Sequence, residues 1–259
     1  LKPPLRSAHH LQCARVTPRL DRTKRRRPAM PANSFALARV AERAGRYDDM
    51  AEFMKARVET GRPLSSEERD MFSAAFKNSL TERRQAVRMA HFAAETESQD
   101  GRSHNAELAL GYKSKVVAEL QQICNKVLAL LQERLVPSAS DAETQCFFLK
   151  MQGDYYRYLA EFSEGEARGT VAEGANRAYS AGVQAAQHLL AVHPVRLGLC
   201  LNFSVFQHEV MRDTGAAIST ARTAFEQAAE ELDSTDPQYR NDAVMTMQLL
   251  QDNLSLWEQ

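Results

Sequence analysis

The chain has 259 residues, with 33 Lys or Arg against 33 Asp or Glu, so its formal net charge is zero. Residues 1–29 hold nine basic residues and one acid, whereas residues 30–259 hold 24 basic and 32 acidic residues. An acidic body excludes broad nucleic-acid binding, because phosphate backbones are recognised by basic faces. No apolar run reaches the ~18 residues that a membrane-spanning helix needs, so we predict neither a nucleic-acid partner nor a membrane span.

The first segment, residues 1–29, is rich in proline and arginine and has little apolar surface to bury. We expect this basic leader to be disordered and residues 30–259 to form a single helical domain. The triplet Met-Pro-Ala at 30–32 resembles an ordinary start, which favours the view that the leader is not part of the native protein. The alternatives for RTKRRRP (22–28) are a nuclear signal, a patch for acidic partners and a transit peptide.

From residue 32 onward, apolar side chains recur every three or four residues, which is the period of an amphipathic helix. In the stretch 115–131, for example, Val116, Leu120, Ile123 and Val127 follow this spacing. Short segments that contain proline or glycine separate the periodic stretches and predict where helices end. Ser65, followed three residues later by Glu68, is a capping-box signature for a helix start. The pattern predicts nine helices, near 32–44, 47–59, 66–95, 105–134, 141–162, 168–190, 195–212, 215–231 and 238–257. The predicted fold class is all-α.

The pairing of helices is typical of a helical solenoid with a concave face for ligands. Some hairpins resemble tetratricopeptide (TPR) repeats, but the 34-residue period and its Trp-Leu-Gly-Tyr pattern are absent. A TPR-like interaction scaffold whose binding is independent of phosphate is therefore the alternative interpretation.

Motifs of the common enzyme classes are absent from the sequence. It contains no GxGxxG, GxxxxGK[ST], GxSxG or HExxH, and its histidines and cysteines lack the spacing of metal ligands. We predict no catalytic residue, no metal and no cofactor, and hence a binding protein rather than an enzyme. The four cysteines have no CxxC spacing and are predicted to be reduced structural thiols: Cys13, Cys124, Cys146 and Cys200.

Two basic clusters stand out in the acidic body. Lys77 and Arg84 are seven residues apart, so they share a helix face at a separation of about 10 Å, and Arg88 extends this stripe by one turn. Arg157 lies within GDYYRY, where three tyrosines surround it. A planar guanidinium suits a phosphate group because it donates two parallel hydrogen bonds. The alternatives are a solvated helix face for the first cluster and aromatic core packing for the second.

Five stretches in order along the chain resemble the 14-3-3 family: AERAGRYDDMAEFMK (41–55), AAFKNSLTERRQAVR (74–88), FFLKMQGDYYRYLAEF (147–162), HPVRLGLCLNFSVFQHEV (193–210) and MQLLQDNLSLW (247–257). The resemblance implies nine antiparallel helices in a TPR-like superhelical arrangement that forms a concave amphipathic groove. It also implies a W-shaped dimer, in which each groove holds an extended peptide bearing phosphoserine or phosphothreonine.

The resemblance assigns roles residue by residue. The phosphate-binding residues implied are Lys77, Arg84, Arg157 and Tyr158. The groove residues implied are Lys150, Asp154, Gly198, Leu201, Asn202, Val205, Glu209, Leu249, Asn253, Leu256 and Trp257; Asp154 would orient the basic groups, and the two asparagines would hydrogen-bond the ligand backbone. The dimer residues implied are Val40, Ala41, Ala44, Arg46, Asp49, Tyr112, Lys115 and Glu119, with Arg46 pairing with Glu119 and Asp49 with Lys115 across subunits.

Some positions depart from the family pattern. Gln152 and Gln251 replace basic residues, and Thr246 replaces an isoleucine that lines the groove. Ala86 replaces an interface serine whose phosphorylation splits the dimer in many members, so we expect that control to be missing. The predicted protein is a dimeric adaptor for phosphorylated partners, acting as a homodimer or as a heterodimer with a paralogue. We expect it in the cytoplasm, with access to the nucleus.

Overall fold

The computed structural model describes residues 33–234 and 237–259, and the predicted leader and Cys13 lie outside them. The described residues form nine α-helices and no strand, as the all-α prediction requires. The helices are α1 Ser34–Arg43, α2 Tyr47–Glu59, α3 Ser66–Gln99, α4 Ser103–Leu130, α5 Ala142–Glu161, α6 Gly165–Ala186, α7 Pro194–Glu209, α8 Thr214–Glu231 and α9 Pro237–Trp257. A π-helical turn, Leu131–Leu135, continues α4, and a short 3-10 turn, Leu232–Ser234, follows α8.

Local sequence explains where several helices begin. The capping box is present: Ser65 N donates to Glu68 Oε2 at 2.9 Å, and Glu68 N donates to Ser65 Oγ at 3.2 Å. Asp141 caps α5 by accepting from Thr144 N at 2.7 Å. Pro194 occupies the first turn of α7, where its missing N–H costs nothing. These caps satisfy backbone donors that the first helical turn leaves free.

In three helices the observed limits differ from the predicted ones by three or four residues. Helix α3 continues to Gln99 rather than 95, and α6 spans Gly165–Ala186 rather than 168–190. Helix α7 ends at Glu209 rather than 212, because Arg212 adopts a left-handed backbone with φ of 60°. Since glycine or asparagine favours that conformation far more than arginine does, the sequence carried no stop signal there.

Each helix packs against its neighbours in the chain, and α5 also packs on α7, which packs on α9. Because the connections are short, consecutive helices run antiparallel. Arg84 of α3 pairs with Glu161 of α5 at 2.8 Å, so α3, α5, α7 and α9 are linked in that order and form one layer. This layer carries all the residues assigned to the ligand groove.

The buried side chains form three clusters. One joins α1–α5 and contains the aromatic pair Phe72 and Phe76, whose ring centroids are 4.9 Å apart. A second joins α7, α8 and α9, and a third joins α5, α6 and α7 around Tyr179. Helix α5 belongs to two of the clusters, so it is held on several sides and is a rigid platform for a site.

The cysteines within the described residues are free thiols, as predicted: Cys124, Cys146 and Cys200. Burial raises the pKa of the Cys124 and Cys146 thiols to about 12. Over the described part of the chain, no helix combines the length and apolar character needed to cross a bilayer. The same residues contain no cluster of three or more side chains suited to holding a metal ion.

Candidate functional site

The buried carboxylate of Asp154, on α5, organises the centre of the groove layer. Lys150 Nζ donates to Asp154 Oδ2 at 2.7 Å, Tyr179 OH to Oδ1 at 2.6 Å, and Asn202 Nδ2 to Oδ1 at 2.8 Å. Arg157 Nη2 lies 3.7 Å from the same Oδ1. One carboxylate thus fixes side chains from α5, α6 and α7.

The charges around this carboxylate determine its protonation. Burial raises the pKa of Asp154, but Lys150 and Arg157 lower it more, so the pKa of the carboxyl ends below its ordinary value. Burial lowers the pKa of Lys150, but Asp154 outweighs burial and the pKa is raised. Burial also raises the pKa of Tyr179 well above its ordinary value. At neutral pH the centre therefore consists of an ionised acid, two cations and a neutral phenol.

Gly153 lets Tyr179 reach Asp154. A Cβ atom at position 153 would lie 2.6 Å from Cδ1 and Cε1 of the Tyr179 ring, which is closer than carbon atoms pack. The missing side chain therefore allows α5 and α6 to approach closely enough for the Tyr179 hydroxyl to donate to the carboxylate. Arg157 Nε also donates to the Tyr179 hydroxyl, at 3.4 Å.

Two guanidinium groups meet at Tyr158. The Cζ atom of Arg84, on α3, lies 5.0 Å from the Tyr158 ring centroid, and the Cζ of Arg157, on α5, lies 4.7 Å from it. Cation–π contacts of this length stabilise the orientation of both cations. Arg84 Nη2 also donates to Glu161 at 2.8 Å, whereas its buried Nε has no hydrogen-bond partner among the described residues. Three of the four residues assigned to phosphate binding are thus brought together.

Lys77, the fourth residue assigned to phosphate binding, lies about two helical turns before Arg84 on α3. Its side chain is exposed, and it is not among the residues that line the cavity beside Arg84 and Arg157. Arg88 is likewise exposed and outside that lining. Their exposure fits the solvated-face alternative, and the assignment of Lys77 to phosphate binding stays a prediction.

The tyrosines of GDYYRY have different environments. Tyr155 is a core residue, 3 % exposed, and it makes an edge contact with Tyr158 at 5.5 Å between ring centroids. Tyr156 lies against Gly174 and accepts a hydrogen bond from Gln132 Nε2 at 2.7 Å. Only Tyr158 touches the guanidinium groups. The core-packing alternative therefore holds for two of the three rings.

The remaining groove residues lie on α7 and α9. Gly198 faces Lys150, whose Cε would be 3.8 Å from an added Cβ, and Asn202 is fixed by Asp154 as described. Trp257 stacks on His208 with 4.9 Å between ring centroids. Exposed apolar side chains accompany these polar groups: Leu249 is 52 % and Leu256 65 % exposed. The other members are partly buried or exposed on the same helices: Leu201, Val205, Glu209 and Asn253.

The residues assigned to a dimer interface lie on α1, α2 and α4 and the turn between α1 and α2. Val40 is 62 % and Tyr112 55 % exposed, and Ala44 and Lys115 are exposed as well, whereas Ala41 is 5 % exposed and has little surface to offer a partner.

The ion pairs assigned across subunits have different partners within the single chain. Arg46 Nε donates to Asp49, and Arg83 Nε lies 3.5 Å from Glu119. A small cavity beside these residues, about 260 Å³, includes Ala86, Tyr112, Lys115 and Glu119 in its lining.

Sequence reasoning missed several residues of the site. Tyr179 was not singled out, although the mid-helix glycine at 153 was a signal of close helix approach. Glu161, which pairs with Arg84, carried no signal, because 77 residues separate the two. Arg168 and Arg212 also line the cavity beside Arg84 and Arg157, and neither lies in a recognisable motif.

Comparisons with known proteins identify the family of the chain. A family model described as "14-3-3 protein" matches residues 37–258. The chain is 45 % identical over 221 residues to "14-3-3 protein homolog 1" of Schistosoma mansoni, covering 85 % of this chain and 87 % of that protein. It is 43 % identical over 221 residues to "14-3-3 protein beta/alpha-1" of Oncorhynchus mykiss, covering 85 % and 90 % respectively. This chain belongs to the 14-3-3 family of adaptor proteins.

Proposed function

We propose that the protein is a dimeric, non-enzymatic adaptor that binds phosphoserine or phosphothreonine segments of partner proteins in the cytoplasm. The observation that carries the proposal is the pair of guanidinium groups, Arg84 and Arg157, held within 5.0 Å of one tyrosine ring. Two cations so close repel each other unless an anion lies between or beside them. Glu161 and Asp154 now play that part, and a phosphate dianion carries more charge than either carboxylate.

The groove wall supports binding of an extended peptide. The Asn202 amide is held by Asp154, which leaves its carbonyl oxygen for a ligand N–H. The exposed leucines Leu249 and Leu256 offer apolar contact without a deep side-chain pocket. A surface that pairs with backbone groups and grips one phosphate recognises the modified residue more than the surrounding sequence. That selectivity suits an adaptor with many clients.

The test is a calorimetric titration with an Arg-x-x-pSer-x-Pro peptide and its unphosphorylated twin. A lost charge-assisted hydrogen bond costs about 1.5–3 kcal/mol, so Arg84→Gln and Arg157→Gln should each weaken the phosphopeptide at least about tenfold. Arg177→Gln is the matched control, because Arg177 is 71 % exposed and pairs only with Glu173 in the described structure. Equal affinity for the two peptides would refute the proposal and favour the phosphate-independent scaffold.

Dimerisation is proposed through a surface formed by α1 to α4, which includes the assigned residues of α1, α2 and α4 and an exposed face of α3. Large apolar side chains exposed on these mutually packed helices include Val40, Met89, Phe92, Leu108 and Tyr112, and exposed apolar patches of this kind mark protein interfaces. On association, Arg46 would exchange Asp49 for Glu119 of a second copy, and Asp49 would turn to Lys115. A dimer offers two grooves, which raises the effective concentration of a second phosphorylated site.

Light scattering on residues 30–259 tests this association, with a dimer mass expected at micromolar concentration. Ala86→Glu should favour the monomer, because it places a larger, charged side chain in a cavity whose lining already holds three acids, Asp48, Glu82 and Glu119, against two cations, Arg83 and Lys115. Glu173→Gln, on an exposed face of α6, should leave the mass unchanged. A monomeric mass for the unmodified chain would overturn the homodimer, and the same measurement with an added paralogue would then test the heterodimer.

A further inference from the structure

A cavity of about 570 Å³ lies directly beside the guanidinium pair and has more arginines than phosphate binding needs. Its lining includes four of them: Arg84 from α3, Arg157 from α5, Arg168 from α6, and Arg212 from the turn between α7 and α8. The first two have internal acidic partners. Within the described residues, the guanidinium groups of Arg168 and Arg212 have no hydrogen bond or ion pair.

The backbone of Arg212 is unusual. It has φ of 60°, and no other non-glycine residue in the described part of the chain has a positive φ. This left-handed conformation costs free energy for a residue with a Cβ, and asparagine tolerates it better than arginine does. The turn therefore holds an arginine in a strained conformation at the mouth of a cavity, where strain and function often coincide.

We infer that Arg168 and Arg212 form a second anion subsite, which receives an acidic group on the same ligand a few residues from the phosphorylated one. This acidic group is a phosphoryl or a carboxylate group, both of which a guanidinium binds through parallel hydrogen bonds. This inference rests on the proposed function, since the first phosphate places the ligand. A sphere of the cavity's volume is roughly 10 Å across, which matches about three residues of extended chain.

The acidic residues in the lining also bear on this subsite. Glu161 is held by Arg84 at 2.8 Å, while Glu164 and Glu209 are exposed at the rim. Exposed carboxylates act on a ligand through water, where charge interactions are weak and screened. A phosphoryl or carboxylate group in contact with a guanidinium forms parallel, charge-assisted hydrogen bonds instead. Arg168 is partly buried and Arg212 is exposed, so the inference depends on direct contact of the ligand acid with these two arginines outweighing the screened repulsion from the rim.

Fluorescence titration of peptides with one fixed phosphoserine tests the subsite. A second position, two to four residues to either side, carries serine, phosphoserine, glutamate or lysine. At the best spacing, phosphoserine or glutamate should bind about five- to tenfold tighter than serine. An advantage for phosphoserine alone identifies a phosphoryl subsite, and an advantage shared by glutamate identifies a general acid subsite; both support the inference.

The variants separate contact from general charge. Arg212→Asn suits the left-handed backbone, and Arg168→Gln keeps a helix-compatible side chain, so both should fold. Each should reduce the advantage of the second acid and leave the affinity for the singly phosphorylated serine peptide within about twofold. Arg177→Gln removes one positive charge from the same helix as Arg168, outside the cavity, and should retain the advantage.

The outcomes distinguish the two proposals. If the singly phosphorylated peptide binds no better than its unphosphorylated twin, the proposed function fails. If it does bind better, the inference is overturned when the second acid adds nothing at any spacing, when lysine is preferred there, or when Arg177→Gln removes the advantage as fully as Arg212→Asn does.

Discussion

The carboxylate of Asp154 makes a sharp prediction about stability. Asp154→Asn keeps the shape of the side chain, and its remaining oxygen can still accept from Tyr179 and Asn202. The new amide nitrogen, however, faces the ammonium of Lys150, which now donates at 2.7 Å. Two donors then oppose each other, and Lys150 and Arg157 lose their shared counter-ion.

The cost follows from burial. Removing one partner of a buried ion pair costs about 3–5 kcal/mol. The Asp154 side chain is 8 % exposed, but that of Lys150 is 25 % exposed and can recover some hydration. We therefore expect the lower end, a loss of about 3 kcal/mol in the free energy of unfolding, together with weaker binding of the phosphopeptide because Arg157 is no longer oriented.

Urea unfolding followed by circular dichroism measures this loss. The matched control is Glu173→Gln, which breaks an ion pair with Arg177 that is exposed on both sides and should change stability by less than about 1 kcal/mol. A loss below about 1 kcal/mol for Asp154→Asn, or one no larger than that of the control, would contradict the role assigned to the buried carboxylate.

The same variant has a pH signature. The pKa of Asp154 is depressed in the folded chain, so its stabilising contribution is fully present above the unfolded value near ~3.9 and is lost as the pH falls through the folded value. The unfolding free energy of the unmodified protein should therefore fall on acidification below about pH 4. Asp154→Asn should flatten that fall, and an unchanged acid slope would refute the assignment.

Two further predictions concern packing and thiol chemistry. Gly153→Ala should destabilise the chain by about 1–3 kcal/mol, because its Cβ would lie 2.6 Å from the Tyr179 ring; Gly111→Ala, which meets nothing within 4 Å, should be neutral or stabilising in the same thermal melts. The Cys124 thiol, with its pKa raised to about 12 by burial, should resist a thiol-specific reagent at pH 8 until denaturant is added; rapid labelling of the folded chain at this cysteine would contradict its burial.

The sequence by itself determined the helices, because their signals are local. Apolar spacing of three or four residues, the capping box at Ser65 and the prolines that begin α7 and α9 predicted nine helices and most of their limits. At Arg212 the backbone adopts a left-handed conformation that arginine disfavours, so the predicted C-terminal end of α7 was wrong. The motif residues that resemble the family could likewise be assigned in advance, since a motif is a property of neighbouring positions.

Only the tertiary structure decided which side chains meet. Arg84 and Glu161 are 77 residues apart, and Tyr179 reaches Asp154 from a different helix across the space that Gly153 leaves empty. Such contacts depend on how closely and at what angle helices pack, which no local period encodes. The same packing leaves Lys77 outside the cavity lining and brings Arg168 and Arg212 into it. The site is therefore a consequence of helix packing, even though each helix was predictable alone.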